Sequence, residues 1–160
     1  MRRGAFLAAA AGIAAAALPG AAQAADNATV TLGDDAFVRD VWRELRGRTV
    51  GIVTNQSGVL SNGQPLIDAV HRNGQIAVKA LFGPEHGIRG VAGAGATVGS
   101  STDELTGLPV YSLYGATRHP TPAMLAGIDV LLFDIQDVGA RPYTYVSTMA
   151  YVMESAATSG

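Results

Sequence analysis

Ile128-Asp129-Val130-Leu131-Leu132-Phe133-Asp134-Ile135 is the most apolar run in the second half of the chain, and its length is that of a strand. The run is continuous rather than alternating, so it predicts a strand covered on both faces, as in a parallel sheet flanked by helices. Two more runs of this kind lie upstream, Thr49 to Thr54 (TVGIVT) and Ile76 to Phe82 (IAVKALF), and Val110 to Leu113 is a shorter candidate. Helical patterns fall between them. Phe37, Val38, Val41, Trp42 and Leu45 recur at helical spacing, with Asp34 or Asp35 as the expected cap and Gly47 at the end. Leu66, Ile67, Val70 and His71 lie in a second pattern over 64–73 that ends at Gly74. Thr121-Pro122 opens a small helix, with threonine at the cap and proline at the first helical position. Thr144 to Ala157 is a further helix, with Met149, Val152 and Met153 on one face. Alternating strands and helices define an α/β class with a Rossmann-like, mostly parallel sheet.

Composition excludes several alternatives. The 160 residues are 48% apolar and 15% charged, too apolar and too weakly charged for a disordered chain. The absence of cysteine removes disulfide scaffolds, zinc ribbons and thiol enzymes. A net charge of −2 gives no electrostatic footprint for nucleic acid.

The amino terminus follows different rules. Met1-Arg2-Arg3 is a short basic start, Ala5 to Leu18 is apolar and alanine-rich, and Ala22-Gln23-Ala24 places small residues at the −3 and −1 positions of a cleavage site. This pattern predicts a secretory signal peptide over 1–24. The competing reading, a membrane-spanning anchor, is weakened by the alanine content and by Pro19-Gly20. Residues 25–47 then form an N-terminal segment and first helix. The expected location is periplasmic or secreted, without stable membrane association after cleavage. Whether export follows the general or the twin-arginine route stays open.

In open parallel sheets, ligands bind beyond the carboxyl ends of the strands. Polar residues cluster there after each main run. Thr54-Asn55-Gln56-Ser57-Gly58 follows the first, Gly83-Pro84-Glu85-His86-Gly87-Ile88-Arg89-Gly90 the second, and Gln136-Asp137-Val138-Gly139-Ala140-Arg141 the last. Three distant segments are therefore expected to meet on one rim. Glu85 has the chemistry of a general acid or base if burial raises its pKa. His86 is a candidate to orient Glu85, to ligate a metal or to bind substrate, and Arg89 to hold a carboxylate or phosphate in a bidentate fork. The plainer alternative is a loop braced by a Glu85–Arg89 ion pair. Asp134, between Phe133 and Ile135, must be hydrogen-bonded, paired or neutral, and serves either as a catalytic carboxylate or as a loop brace. Asp137 is a second candidate carboxylate or a simple turn cap. Arg141 is either a substrate clamp or an aspartate's partner. Tyr143 and Tyr145 can stack on a sugar or pack the following helix.

Several other signals carry less. Gly93-Ala94-Gly95-Ala96-Thr97-Val98-Gly99 mimics a dinucleotide loop, but its third glycine is one place late and no strand precedes it. The segment 83–107 holds seven glycines and reads as a long ordered loop. There is no P-loop and no nucleophile elbow. Glu85, His86 and Asp134 have no ligand-spaced pair to make a metal site, so no metal or cofactor is expected. His71 and His119 read as solvated or rim residues.

Four motifs in order carry a family resemblance: Val53 to Gly58, Leu81 to Gly90, Thr106 to Gly115 and Phe133 to Arg141. Together they resemble the bacterial family long known as DUF1343, associated with exo-acting β-N-acetylmuramidases of the NamZ type, glycoside hydrolase family 171. The resemblance runs from about residue 48 to the end. It implies that 48–160 is the N-terminal part of a Rossmann-like catalytic domain whose smaller C-terminal partner domain is absent from this chain. It implies release of N-acetylmuramic acid from the non-reducing end of peptidoglycan fragments, with peptidoglycan-derived carbohydrate as the partner. Glu85 falls on the family's favoured catalytic glutamate. Asn55, Gln56, His86, Arg89, Asp134, Gln136, Asp137 and Arg141 match other motif positions. Gly83 and Pro142 depart from the family's usual residues without removing a chemical group. Asp134 or Asp137 is a candidate second carboxylate beside Glu85, and the part of the family that this chain lacks is the other place for it. Retaining enzymes hold such a pair about 5–5.5 Å apart and inverting enzymes about 6.5–9.5 Å. The competing class is a periplasmic module that grips a sugar acid without cleaving it. By itself the chain is expected to be poorly soluble or loosely folded and inactive, because one sheet edge and one wall of the cleft would be missing.

Overall fold

The structure, a computed structural model, describes residues 30–159. The expected signal peptide over 1–24 lies outside the described residues.

Helix α1 (Gly33–Arg39) is followed by a 3-10 turn (Val41–Leu45), β1 (Thr49–Thr54) and α2 (Leu66–Asn73). Then come β2 (Ala77–Gly83), β3 (Ser101–Thr102), β4 (Pro109–Ser112), α3 (Pro122–Leu125), β5 (Val130–Asp134) and α4 (Tyr145–Ser159). The five strands form one sheet in the order β3-β4-β2-β1-β5. β1 pairs in parallel with both β2 and β5, and β2 pairs in parallel with β4. The two-residue β3 is antiparallel to β4. The chain thus runs outward from β1 through β2 to β4, then crosses to the far side of β1 for β5. That reversal is the topological switch point of a doubly wound sheet, and it sits beside the carboxyl end of β1.

Each sheet face has its own core. Val50, Ile52, Leu81 and Val110 pack with Phe37 of α1 and Leu66, Ile67 and Val70 of α2. Val53, Ala80, Phe82 and Leu113 pack with Leu125 of α3 and Val152 of α4. Each large side chain sequestered this way contributes about 1.5–3 kcal/mol relative to exposure. Gly51 lets the faces close at the sheet's centre, because a Cβ there would meet Leu131 at 2.8 Å and Phe82 at 2.9 Å.

The structure departs from the expectations at three places. The first helix breaks at Asp40, whose φ of −135° is non-helical, and a tighter 3-10 turn follows it. Neither Asp34 nor Asp35 caps the helix, for both lie inside its first turn. Asp35 instead accepts from the backbone N–H and the hydroxyl of Ser61. The run 128–135 forms a strand only over Val130–Asp134, and every residue of it is half-buried. It occupies a sheet edge, so it has one neighbouring strand instead of two. Within the glycine-rich segment, β3 was not legible because two exposed residues carry no periodicity. No described helix is long and apolar enough to cross a membrane.

Candidate active site

A cavity of about 500 Å³ opens at the carboxyl ends of the strands. Its walls come from Asn55, Gln56 and Ser57 after β1, Glu85 and His86 after β2, and Gln136 and Val138 after β5. Ala94 of the glycine-rich segment and residues 142–145 at the start of α4 complete it. The convergence of three loops on one rim follows from the parallel pairing of β2, β1 and β5, which points all three carboxyl ends the same way.

Glu85 is held from several sides. Gly95 N–H donates to Oε1 at 2.9 Å, and the Thr144 hydroxyl donates to Oε2 at 3.0 Å. The Gly95 hydrogen bond lowers the Glu85 pKa most; weak desolvation opposes it, and Thr144, the nearby His86 and the Tyr114 hydroxyl add to the lowering. The condition set for acid catalysis, a pKa raised by burial, is therefore not met in this chain. Glu85 is too solvated and too well supplied with donors, and it stands as an ionised carboxylate at neutral pH.

His86 adopts a left-handed backbone at φ 72°, unusual for a residue with a side chain. Its Nδ1 lies 2.8 Å from the Ala92 carbonyl, and Ala92 N–H returns a bond to the His86 carbonyl at 3.3 Å. A carbonyl only accepts, so Nδ1 carries a proton, and whenever the ring is neutral the Nε2 lone pair is left for other partners. The Ala92–Gly95 stretch, which overlaps the rejected dinucleotide-loop mimic over 93–99, thus clamps both Glu85 and His86 with backbone atoms.

Asn55 is buried, and its Oδ1 accepts from the backbone and hydroxyl of Ser57 at 2.9 and 2.6 Å. Its Nδ2 is buried without a partner. Gln56 is exposed on the cavity wall and packs over Gly90, where a Cβ would approach its side chain to 2.7 Å. That contact, and a φ of +69°, explain the glycine. Gln136 donates its backbone N–H to Ser57 Oγ at 2.9 Å, tying the β5 loop to the β1 loop.

Four expected site residues lie elsewhere. Arg89 makes no pair with Glu85. Its Nε and Nη2 donate to Asp103 at 3.0 and 2.9 Å, and its Nη1 and Nη2 to Asp68 at 3.2 and 2.8 Å. Its guanidinium braces the segment to α2, and it borders a smaller depression behind Asn55 instead of the main cavity. Burial pushes the Asp103 carboxyl up, but the hydrogen bonds from Arg89 and Thr106 outweigh this and hold it below the usual range.

Asp134 shares the sheet face of α1 because it alternates with Val130 and Leu132, which pack against that core. It lines an adjoining depression with Asp34, and that depression shares Ser57 and Gln136 with the main cavity. Burial pushes its pKa up to about 7, the charge and hydrogen bond of Asp34 add to this, and the Thr54 hydroxyl 3.2 Å away opposes it. Gly58 must be glycine here, since a Cβ would collide with the Asp134 carboxyl. Asp137 accepts the Gly139 N–H at 2.7 Å, which is a turn cap, and its Oδ2 is buried without a partner. Arg141 is exposed and pairs with no described aspartate. Among the described residues, Glu85 is the one carboxylate lining the main cavity.

Thr144 was missed as a site residue in sequence, where it reads only as the start of a helix. Asp68 and Asp103, the partners of Arg89, gave no signal at all. Tyr143 is exposed on the rim, and Tyr145 is buried beneath it in an edge-on pair at 5.8 Å. No described cluster of three His, Asp or Glu side chains can hold a metal ion.

The fold and cavity define a Rossmann-like α/β domain that presents a carboxylate and an imidazole at the switch point of its sheet. Residues 50–160 match the family described as "Exo-beta-N-acetylmuramidase NamZ, N-terminal", and the chain belongs to that family. It is 51% identical over 138 residues to the peptidoglycan β-N-acetylmuramidase NamZ of Bacillus subtilis, covering 86% of this chain and 33% of that protein. Two crystal structures of DUF1343 family proteins from Bacteroides fragilis are similar. One has 45% identity and a TM-score of 0.72, over 81% of this chain and 32% of the other. The second has 32% identity and a TM-score of 0.65, over 80% of this chain and 31% of the other. The chain thus spans about a third of the length of these relatives.

Proposed function

We propose that this chain supplies the Rossmann-like part of an exported glycosidase that releases N-acetylmuramic acid from the non-reducing end of peptidoglycan fragments. The observation that carries the reading is Glu85, clamped as an ionised carboxylate in the cavity wall of a chain 51% identical to a peptidoglycan β-N-acetylmuramidase. Glycoside cleavage passes through an oxocarbenium-like transition state, and an ionised carboxylate serves it as nucleophile, as base toward water or as electrostatic stabiliser. Proton donation to the leaving group then belongs to a different acid. The basic start, alanine-rich stretch and Ala22-Gln23-Ala24 support export to the compartment where peptidoglycan lies.

A second reading, a module that binds a sugar acid without cleaving it, is favoured by one observation. Glycosidases use two carboxylates, and the described cavity wall holds one. The test is a chimera in which residues 50–160 replace the matching segment of the Bacillus subtilis relative. Release from a chromogenic β-N-acetylmuramide but not from its glucosamine analogue, cut at least a hundredfold by Glu85→Gln, supports the glycosidase. Binding without release supports the module, and turnover unaffected by Glu85→Gln removes Glu85 from the chemistry.

A further inference from the structure

Thr144 immediately precedes α4. A threonine in that position ordinarily turns its hydroxyl oxygen onto a backbone N–H two or three residues ahead, as a helix cap. Among the described residues Thr144 makes no such bond, and its hydroxyl donates to Glu85 Oε2 at 3.0 Å, across 59 residues of sequence. The Thr144 carbonyl is tied to the helix instead. It accepts from Thr148 N–H at 3.0 Å and from Thr148 Oγ1 at 3.2 Å.

The two sides of Glu85 differ in kind. Oε1 is held by Gly95, in the glycine-rich segment. Oε2 is held by a hydroxyl rooted at the start of a 15-residue helix, whose Tyr145, Thr148, Val152 and Ser155 are buried. Glu85 itself lies in a loop, between Pro84 and the left-handed His86. Thr144 is therefore its one side-chain anchor at the start of a helix, and side chains on regular elements hold geometry more tightly than loops do.

We propose that Thr144 is a positioning residue for Glu85, fixing the carboxylate against α4 so that it stays in the cavity wall where a bound sugar would meet it. The proposal rests on the glycosidase reading for the sugar alone, since the hydrogen bond is present whatever occupies the cavity. The groups around Glu85 are His86 from its own loop, the Tyr114 hydroxyl, Gly95 N–H and the Thr144 hydroxyl. Tyr143 and Tyr145 are the other titratable side chains on the cavity wall.

The experiment is a carbon-13 carboxyl titration of Glu85 in the full-length chimera that carries residues 50–160, assigned with Glu85→Gln, comparing Thr144→Val and Thr144→Ser. Valine keeps the shape and removes the donor, and serine keeps the donor. The expected result is a Glu85 titration displaced to higher pH in Thr144→Val and restored in Thr144→Ser. A simple helix cap would lower stability in Thr144→Val and leave Glu85 titrating as before, which overturns the proposal. A second measurement needs no substitution. In the unsubstituted chimera the Thr144 hydroxyl proton exchanges slowly and shows a through-space contact to the Glu85 side chain, and absence of that contact also overturns the proposal. Neither readout depends on turnover, so a failed activity assay and a failed positioning assignment are distinguishable.

Discussion

Arg89 grips both carboxylate oxygens of Asp103, at 3.0 and 2.9 Å, while its remaining donors reach Asp68 at 2.8 and 3.2 Å. Asp103 is nearly buried, with 5% of its side chain exposed, and the Arg89 side chain is 24% exposed. A charge pair this sheltered is costly to break from one side, because two carboxylates then lose their counter-ion.

Arg89→Ala is accordingly expected to destabilise the fold by about 2–4 kcal/mol, with partial solvation keeping it below the fully buried limit. Arg89→Lys recovers little, because an ammonium cannot reproduce the two-sided fork. Urea unfolding of the three proteins checks this. Unchanged stability with lost sugar-acid affinity would return Arg89 to substrate recognition.

Asp134 predicts an unusual pH dependence. Burial and Asp34 raise its folded pKa to about 7, whereas a free aspartate titrates at 3.8. The folded chain therefore binds a proton that the unfolded chain has released between those pH values. Its contribution to stability is fullest below about pH 4, falls as pH rises toward 7 and is flat above. Asp34 is raised by burial and acts in the same sense, while Asp103 acts oppositely and only at lower pH. Asp134→Asn mimics the protonated form. It is expected to add about 1–2 kcal/mol at pH 8, after allowance for solvent screening, and little at pH 4.5. Urea midpoints at the two pH values decide it, and a variant with the wild-type pH slope contradicts it.

His86 carries a tautomer prediction. The Ala92 carbonyl accepts from Nδ1, so neutral His86 holds its proton there and presents Nε2 as an acceptor. Nitrogen-15 shifts of the imidazole, measured where the ring is neutral, are expected to report a protonated Nδ1 and a bare Nε2. A protonated Nε2 would mean that the Ala92–Gly95 clamp is not formed in solution.

These residues mark how far the sequence could be read. The α/β class, the parallel strands and the rim at their carboxyl ends were legible because continuous apolar runs and helical spacing are local patterns. The meeting of Asn55, Gln56, Glu85, His86 and Gln136 followed from strand direction alone. The partners of Arg89 were not legible. Asp68 sits on α2 and Asp103 beside β3, and no spacing rule links them to a guanidinium in another loop. Asp134 and Glu85 looked like a candidate pair because glycosidases commonly use two carboxylates and both residues stand near the carboxyl ends of strands. Side-chain alternation along β5 sends Asp134 to the α1 side of the sheet, and one residue of register would have reversed that.

Reading along the chain located the main strands and helices, the kind of sheet they build and the loops that form its functional rim. Those depend on periodicity, on turn residues and on the family motifs, all written along the chain. Only the tertiary structure decided which groups face one another: Glu85 bound by Gly95 and Thr144, Arg89 turned to Asp68 and Asp103, Asp134 set against Asp34. Contacts between residues tens of positions apart depend on strand order, face and register, and a linear pattern fixes none of these.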